Sequence, residues 1–225
     1  MTLVSPLPDH VLARRALLPL KPHVESIHGQ YISLVPYSPA DHEIALYPLC
    51  NGSEITLGDR HHDTYDAEAL IWRYMFSGPF ATQADFGNYM QGQLNANNGQ
   101  PFAVIDHALN HAVGVINLMN NVPDFLKIEL GSIWYSPIAQ RTFANLEATY
   151  LLAKWAFESG YRRLEWKCDA DNERSKHSAQ RMGFQYEGTQ EFHMIVKNRN
   201  RDTAWFRILD HEWERVKAKM EGLLG

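Results

Sequence analysis

The chain has 225 residues, 45% of them hydrophobic and 12% aromatic, which suits one well-cored domain with decorations and excludes a disordered chain. Its formal charge is −5 with a pI near 6.1, so no broad basic field invites nucleic acid, and no apolar run approaches the roughly 20 residues that span a bilayer. Two distant cysteines, Cys50 and Cys168, form neither a disulfide framework nor a Cys-x-x-Cys site, and they point to a reducing, cytoplasmic setting.

Residues 1–30 carry Pro6, Pro8, Pro19 and Pro22 and read as an extension that either wraps the domain or stays mobile, with at most a short helix around 9–17. Arg14 and Arg15 precede Ala16-Leu17-Leu18, but Pro19 ends the run before it reaches the length of a secretory apolar core. Residues 31–36 predict a first strand, and Pro39 opens a helix that ends near Asn51-Gly52. Residues 51–66 read as a polar surface loop. Two helices follow over 67–76 and 82–94, broken at Ser77-Gly78-Pro79. Strands over 102–108 and 112–118 form a hairpin around Asn110, and another strand over 125–135 stops at Pro137. The clearest helix spans 142–159, where Leu146, Tyr150, Ala153 and Phe157 share a stripe and Gly160 supplies the stop. Leu164, Trp166 and Cys168 then alternate with charged residues in a strand. Asp171 or Asn172 caps a short helix to Met182, strands over 184–196 and 202–209 pair around 198–200, and a polar helix over 210–221 follows. Antiparallel runs with one strand–helix–strand crossover predict an α+β fold: a mixed, mostly antiparallel central sheet with helices on both faces.

Two stretches carry chemistry. From Trp134 to Glu147 a strand ends, a short loop follows and a long helix begins; the unpaired amides of a helix start attract an anion, and Arg141 and Thr142 add a charge and a hydroxyl. The second stretch is Asn172-x-x-Ser175, then Arg181-Met182-Gly183-Phe184, then Glu187-Gly188. Taken singly, each feature is also ordinary cap or turn chemistry. In this order they resemble the acetyl-CoA-binding region of GNAT acetyltransferases, closest to the subgroup that contains the ribosomal-protein N-terminal acetyltransferases. The strand from Glu129 to Tyr135, Glu147-Ala148, and the ending Asn200-Arg201-Asp202-Thr203-Ala204-Trp205-Phe206 extend the resemblance over residues 30–210.

The resemblance implies a GNAT-type fold with an extension at 1–30, a catalytic domain at 31–210 and a terminal helix at 211–225. It implies acetyl-CoA as acyl donor. Backbone near Trp134, Tyr135 and Ser136 would pair with the pantetheine arm. The amides of Gln140, Arg141, Thr142, Phe143, Ala144 and Asn145 would hold the pyrophosphate, and Asn172 and Ser175 would meet the reacting end. Phe143 and Asn145 stand where the family carries glycines, and Ala179 where many members place an acidic tyrosine. Phe143 either points into the core and frees the amides or crowds the phosphates.

An amine attacks a thioester only when neutral, so a base must take its proton, and the departing thiolate accepts one. Glu129 and Glu191 are the candidate bases and Ser175 the candidate donor. His61-His62-Asp63 lacks a second ligand cluster and reads as a solvated loop, so no metal is expected. Cys168 reads as a small core residue. Trp72, Tyr74 and Phe76 either pack or line the acceptor site. The expected function is N-acetyl transfer to a primary amine, on a protein N-terminus or a small molecule, by a monomer or homodimer without nucleic-acid or membrane partners. The alternative is a non-catalytic acyl-CoA-binding or interaction protein on the same scaffold.

Overall fold

The computed structural model describes residues 6–225. A short helix, α1 (Asp9–Ala13), continues into a 3-10 turn, and the following segment is stitched onto the body of the protein. Leu18 and Val24 are buried, the Gln100 side chain accepts from Val24 N–H and donates to its carbonyl (2.8 Å each), and Asn121 Nδ2 donates to the carbonyls of Pro19 and Leu20 (2.9 Å each). This segment ends in β1 (Ile27–His28), which pairs with β2 (Ile32–Pro36).

Helix α2 (Pro39–Leu46) comes next, with Pro at its first position, where the missing N–H is no loss. Residues 51–66, expected as a loop, contain the hairpin β3 (Ile55–Leu57) and β4 (Arg60–His62). Gly58 takes the left-handed turn position (φ +58°), and Ile55 buries its side chain beside Leu49 and Ile138, which alternating polar neighbours concealed in the sequence. The expected helix over 67–76 is a single π-helical turn, Glu68–Trp72: Trp72 is wholly buried with its indole donating to Cys50 O (2.8 Å). Helix α3 (Gln83–Asn95) starts at Thr82, whose Oγ1 accepts from Asp85 N–H at 3.1 Å, a standard cap.

The remaining elements are β5 (Gln100–Asp106), β6 (His111–Val122), β7 (Lys127–Tyr135), α4 (Ala144–Glu158), β8 (Arg163–Asp169), α5 (Glu173–Arg181), β9 (Gln185–Val196), β10 (Arg199–Leu209) and α6 (Trp213–Leu224). The last hairpin turns at Lys197-Asn198, both left-handed (φ 50° and 60°), so β10 begins at Arg199 rather than at residue 202. Helix α6, read as polar, buries Trp213, Val216, Met220 and Leu224, a stripe at helical spacing that its many charges masked.

Eight strands form one sheet in the order β1-β2-β5-β6-β7-β8-β10-β9, antiparallel throughout except for the parallel β7–β8 pair. Side chains alternate across it. Phe102, Val104, Ile116, Ile128, Leu164 and Phe206 face a core shared with α4, α5 and α6, while Ala103, Val115 and Trp134 face the core built with α2, α3 and the π-turn. Helices therefore lie on both faces of a mixed, mostly antiparallel sheet, as the element order predicts. Among the described residues no helix is long and apolar enough to cross a membrane.

Candidate active site

The parallel β7–β8 ladder begins at Lys127↔Arg163 and ends at Leu130↔Trp166, although β7 continues to Tyr135 and β8 to Asp169. The cause lies on the other side of β7. Between the pairs Asn117↔Gly131 and Val115↔Trp134 two residues of β7 oppose one of β6, and Ser132 sits in the left-handed region (φ +47°). Such a bulge bends a strand, here away from β8. The result is a V-shaped opening in the middle of the sheet. Two backbone groups of its far lip are already engaged: Ser136 N–H donates to Val113 O (2.9 Å), and Tyr135 O accepts from Gln140 Nε2 (3.2 Å). β8 thus leaves residues 131–134 unpaired on its side, and Ser132 O accepts from Asn117 Nδ2 (3.1 Å). The Trp134 indole is turned into the aromatic core beside Trp72 and Phe86, so only its backbone faces the opening.

Above the opening, α4 begins. Among the described residues the amides of Arg141, Phe143, Asn145 and Leu146 have no acceptor; Gln140 N–H donates to Ser136 O, and Ala144 N–H to Thr142 Oγ1. These free donors and the positive end of a 15-residue helix make an anion seat. The left-handed residue of the loop is Arg141 (φ +65°), while Phe143 has φ −73°, a conformation open to any side chain. The Phe143 ring does not point into the core: it is 40% exposed and stacks on Tyr31 (centroids 4.4 Å apart, 18° between planes). Asn145 leaves the helix on another flank, toward α5, where Nδ2 donates to Ser178 Oγ at 3.4 Å and Oδ1 is buried without a donor. The first turn is fixed from below by Glu147, 3% exposed, which accepts from Gln30, Tyr31 and Ile32 N–H at 2.6, 2.7 and 2.8 Å. A Cβ on Gly29 would lie 2.6 Å from Glu147 Oε1, so only glycine admits this carboxylate.

Asn172 caps α5, its Oδ1 accepting from Ser175 N–H at 3.1 Å. Ser175 Oγ accepts from the Trp166 indole at 3.0 Å and lies beside the Cys168 thiol. Burial pushes that thiol above its ordinary value, which suits a core residue and not a nucleophile. Ala179 is fully buried, so its position has no room for a tyrosine.

The opposite face of the same strands is charged. Glu129 (4% exposed) lies on β7 one residue before the ladder ends, with Oε2 held by Lys167 Nζ at 2.6 Å and Asn120 Nδ2 at 2.8 Å. Lys167 also faces Glu165 (3.5 Å) and stacks on the Trp205 ring (4.2 Å to its centre). Glu165 is in turn held by Arg163 (2.7 Å) and Lys127 (3.3 Å). Where β8 ends, Asp169, Arg201 and the loop after the π-turn enclose a cavity of about 170 Å³. Tyr74 lines it, and the Phe76 ring lies under the Arg201 guanidinium (4.5 Å), whereas Trp72 is packed away in the core. A larger, shallow groove of about 480 Å³ lies between α2 and β3, away from the opening.

The fold thus brings residues 131–136, 140–145, Asn172 and Ser175 around one opening, with Glu129 on its other face. Glu191 is not among them: it is exposed on the edge strand β9, with β8 and β10 between it and β7. His61 pairs with Asp63 (3.2 Å) on the small hairpin. Sequence reading did not single out Ser132, Lys167 or Arg201. Their placement is set across strands, which only the pairing register reveals.

A family model for the GNAT acetyltransferase domain matches residues 54–185. A GCN5-related N-acetyltransferase from Brucella melitensis is 35% identical over 91% of this chain and 87% of its own, with a TM-score of 0.82. A GNAT-family protein from Chromobacterium violaceum is 32% identical over 95% of this chain and 98% of its own, with a TM-score of 0.79. A spermidine N-acetyltransferase from Vibrio cholerae, solved with CoA and spermine, shares the fold at 15% identity, a TM-score of 0.63, and 83% and 99% coverage. No curated protein matches the chain. The match to the GNAT domain does not single out the ribosomal-protein subgroup, and the similar structures are bacterial acetyltransferases of other descriptions.

Proposed function

Since the chain belongs to the GNAT acetyltransferases, we propose that it transfers an acetyl group from acetyl-CoA to a primary amine that enters from the α2–α3 face of the sheet. One observation carries this reading. Among the described residues the only parallel strand pair opens midway, with free helix-start amides on one face of the gap and a buried carboxylate on the other. Acetyl-CoA, when bound, supplies an activated thioester. The amides of Arg141, Phe143, Asn145 and Leu146, with the Arg141 charge, suit its pyrophosphate, and the stretch 131–134, which β8 does not pair, suits its pantetheine arm. Asn172 keeps its side-chain N–H groups available beside the same opening, since its cap uses only Oδ1.

Glu129 is the proton acceptor of this proposal. Lys167 and Asn120 both grip Oε2, which fixes the carboxylate and leaves Oε1 to take a proton from the incoming ammonium, directly or through a water. Ser175 is the proton donor to the departing sulfur. Its hydroxyl is oriented by the Trp166 indole, and Ala179 offers no competing group. Glu191, exposed on the edge strand, has no part in it. The test is free-thiol release across a panel of primary amines. Turnover by the native chain, lost in a folded Glu129→Gln variant, is the expected result; full activity in that variant removes Glu129 from the mechanism. The amine belongs to a small molecule or a protein N-terminus, with the cavity beyond Asp169 as its seat.

A further inference from the structure

Arg201 is 7% exposed, yet among the described residues no carboxylate lies within ion-pair distance of it. Its Nε is fully buried and has no acceptor, and its one hydrogen bond, to Tyr74 O, is stretched to 3.5 Å. The Phe76 ring at 4.5 Å supports the flat face of the guanidinium but accepts none of its in-plane N–H groups. A guanidinium has five donors and cannot escape burial by losing its proton. Buried charges are ordinarily paired, because an unpaired one forfeits its hydration for nothing. Burial accordingly pulls Arg201 below its ordinary value, and Asp169, Cys168 and Glu129 only oppose the shift from a distance.

The position of this charge gives it meaning. On β10, Thr203 pairs with Asp169 and Trp205 with Lys167, and Arg201 lies two residues before Thr203, past the end of β8. It borders the cavity of about 170 Å³ at the open end of the parallel pair, the side on which ligands of such sheets bind. Within that cavity Lys197 is engaged by Glu68 at 2.8 Å, and Asp169 is turned back to the Asp171 N–H at 2.9 Å. Arg73 and Arg199 border the same space, so cations outnumber carboxylates around it. The volume is below the roughly 300 Å³ at which drug-sized pockets begin, which suits a small acceptor more than a length of polypeptide.

Resting on the acetyl-transfer reading above, we infer that the acceptor is a small amine that also carries a carboxylate, and that Arg201 recognises this group from the far end of the acceptor cavity. A planar carboxylate matches the guanidinium fork and supplies the oxygens that the surrounding protein does not. Polyamine acceptors, cationic at both ends, are disfavoured by the same group.

The test uses ω-amino carboxylates of two to six carbons and their carboxamides, titrated calorimetrically into the full chain saturated with CoA. At least one carboxylate should bind roughly 10- to 100-fold more tightly than its amide, the range for hydrogen bonds to charged groups. Arg201→Met and Arg201→Gln should erase that preference while the melting temperature holds or rises, because replacing an unpaired buried charge relieves the folded state. A merely structural arginine would instead lower it. Arg201→Lys, which keeps the charge but not the fork, should retain part of the preference. No preference at any length in the native chain, or a preference that survives Arg201→Met, overturns the inference. If the preference appears but no amine releases thiol from acetyl-CoA, the acetyl-transfer proposal fails and the anion site stands.

Discussion

Glu147 and Arg201 are both more than nine-tenths buried, and the two ends of the molecule treat them in opposite ways. At the start of α4, Glu147 collects three amides from the turn before β2 and anchors the helix to the sheet. Near the start of β10, Arg201 has one stretched bond and an orphaned Nε. Burial alone therefore says little about the purpose of a charge. A charge that the protein satisfies belongs to the fold, and one left wanting faces something outside it. Substitutions in the first region should disturb stability and spare turnover, and those in the second should do the reverse.

The largest expected effect is in the second region. Glu129→Gln should lower kcat/KM by about 10²- to 10⁴-fold, the scale of general-base catalysis, with little change in the unfolding midpoint because Lys167 keeps Glu165 as a neighbour. Unfolding without loss of specific activity would break the contrast. Next is Glu147→Ala in the first region. It strands one buried donor, Ile32 N–H, at about 1–3 kcal/mol and frees two part-buried ones that water can reach, so urea denaturation should register a loss of roughly 1–3 kcal/mol with unchanged turnover per folded molecule. A loss under about 1 kcal/mol would show that the three bonds do not carry the anchor.

A third expectation sharpens the contrast within the second region, where Glu165 is a structural charge. Burial works to raise its pKa, but the bond from Arg163 and the charges of Lys167 and Lys127 outweigh it and hold the carboxyl below its ordinary value. Stability from this group is therefore present above the unfolded-state pKa of about 4.3 and is lost as pH falls through the lower folded value. Thermal midpoints measured on acidification should fall more steeply in the native chain than in Glu165→Gln; parallel curves would contradict this. The smallest effect belongs to Phe143→Ala, which loses a stacked ring pair worth about 0.5–1.5 kcal/mol and should leave acetyl-CoA affinity unchanged. A clear gain in affinity would mean that the ring does crowd the anion seat.

Much of this was legible in the sequence because it is local. The α4 stripe, the Asn172 cap and the alternation of Leu164, Trp166 and Cys168 each depend on near neighbours, and all three appear in the structure. That Phe143, in place of a glycine, needs no left-handed backbone was hidden, because the loop's left-handed residue, Arg141, cannot be located without dihedral angles. What stayed hidden is set across strands. The Ser132 bulge arises from a mismatch with β6, the Lys167–Glu129 contact from the register of β7 on β8, and the isolation of Arg201 from what fails to reach it. A hairpin was likewise missed at residues 55–62, where strands of three residues are too short for alternation to show.

A strand that loses its neighbour halfway along lies at the centre of the sheet yet behaves there as an edge. The amides of residues 131–134 should exchange with deuterium faster than those of Ile128 to Leu130 on the same strand, where both flanks are paired. A ligand that hydrogen-bonds to both lips supplies the missing rungs of the ladder. Its concentration then sets the thermal resistance of the whole domain through mass action, so donor supply and protein lifetime are tied together by the gap between two strands.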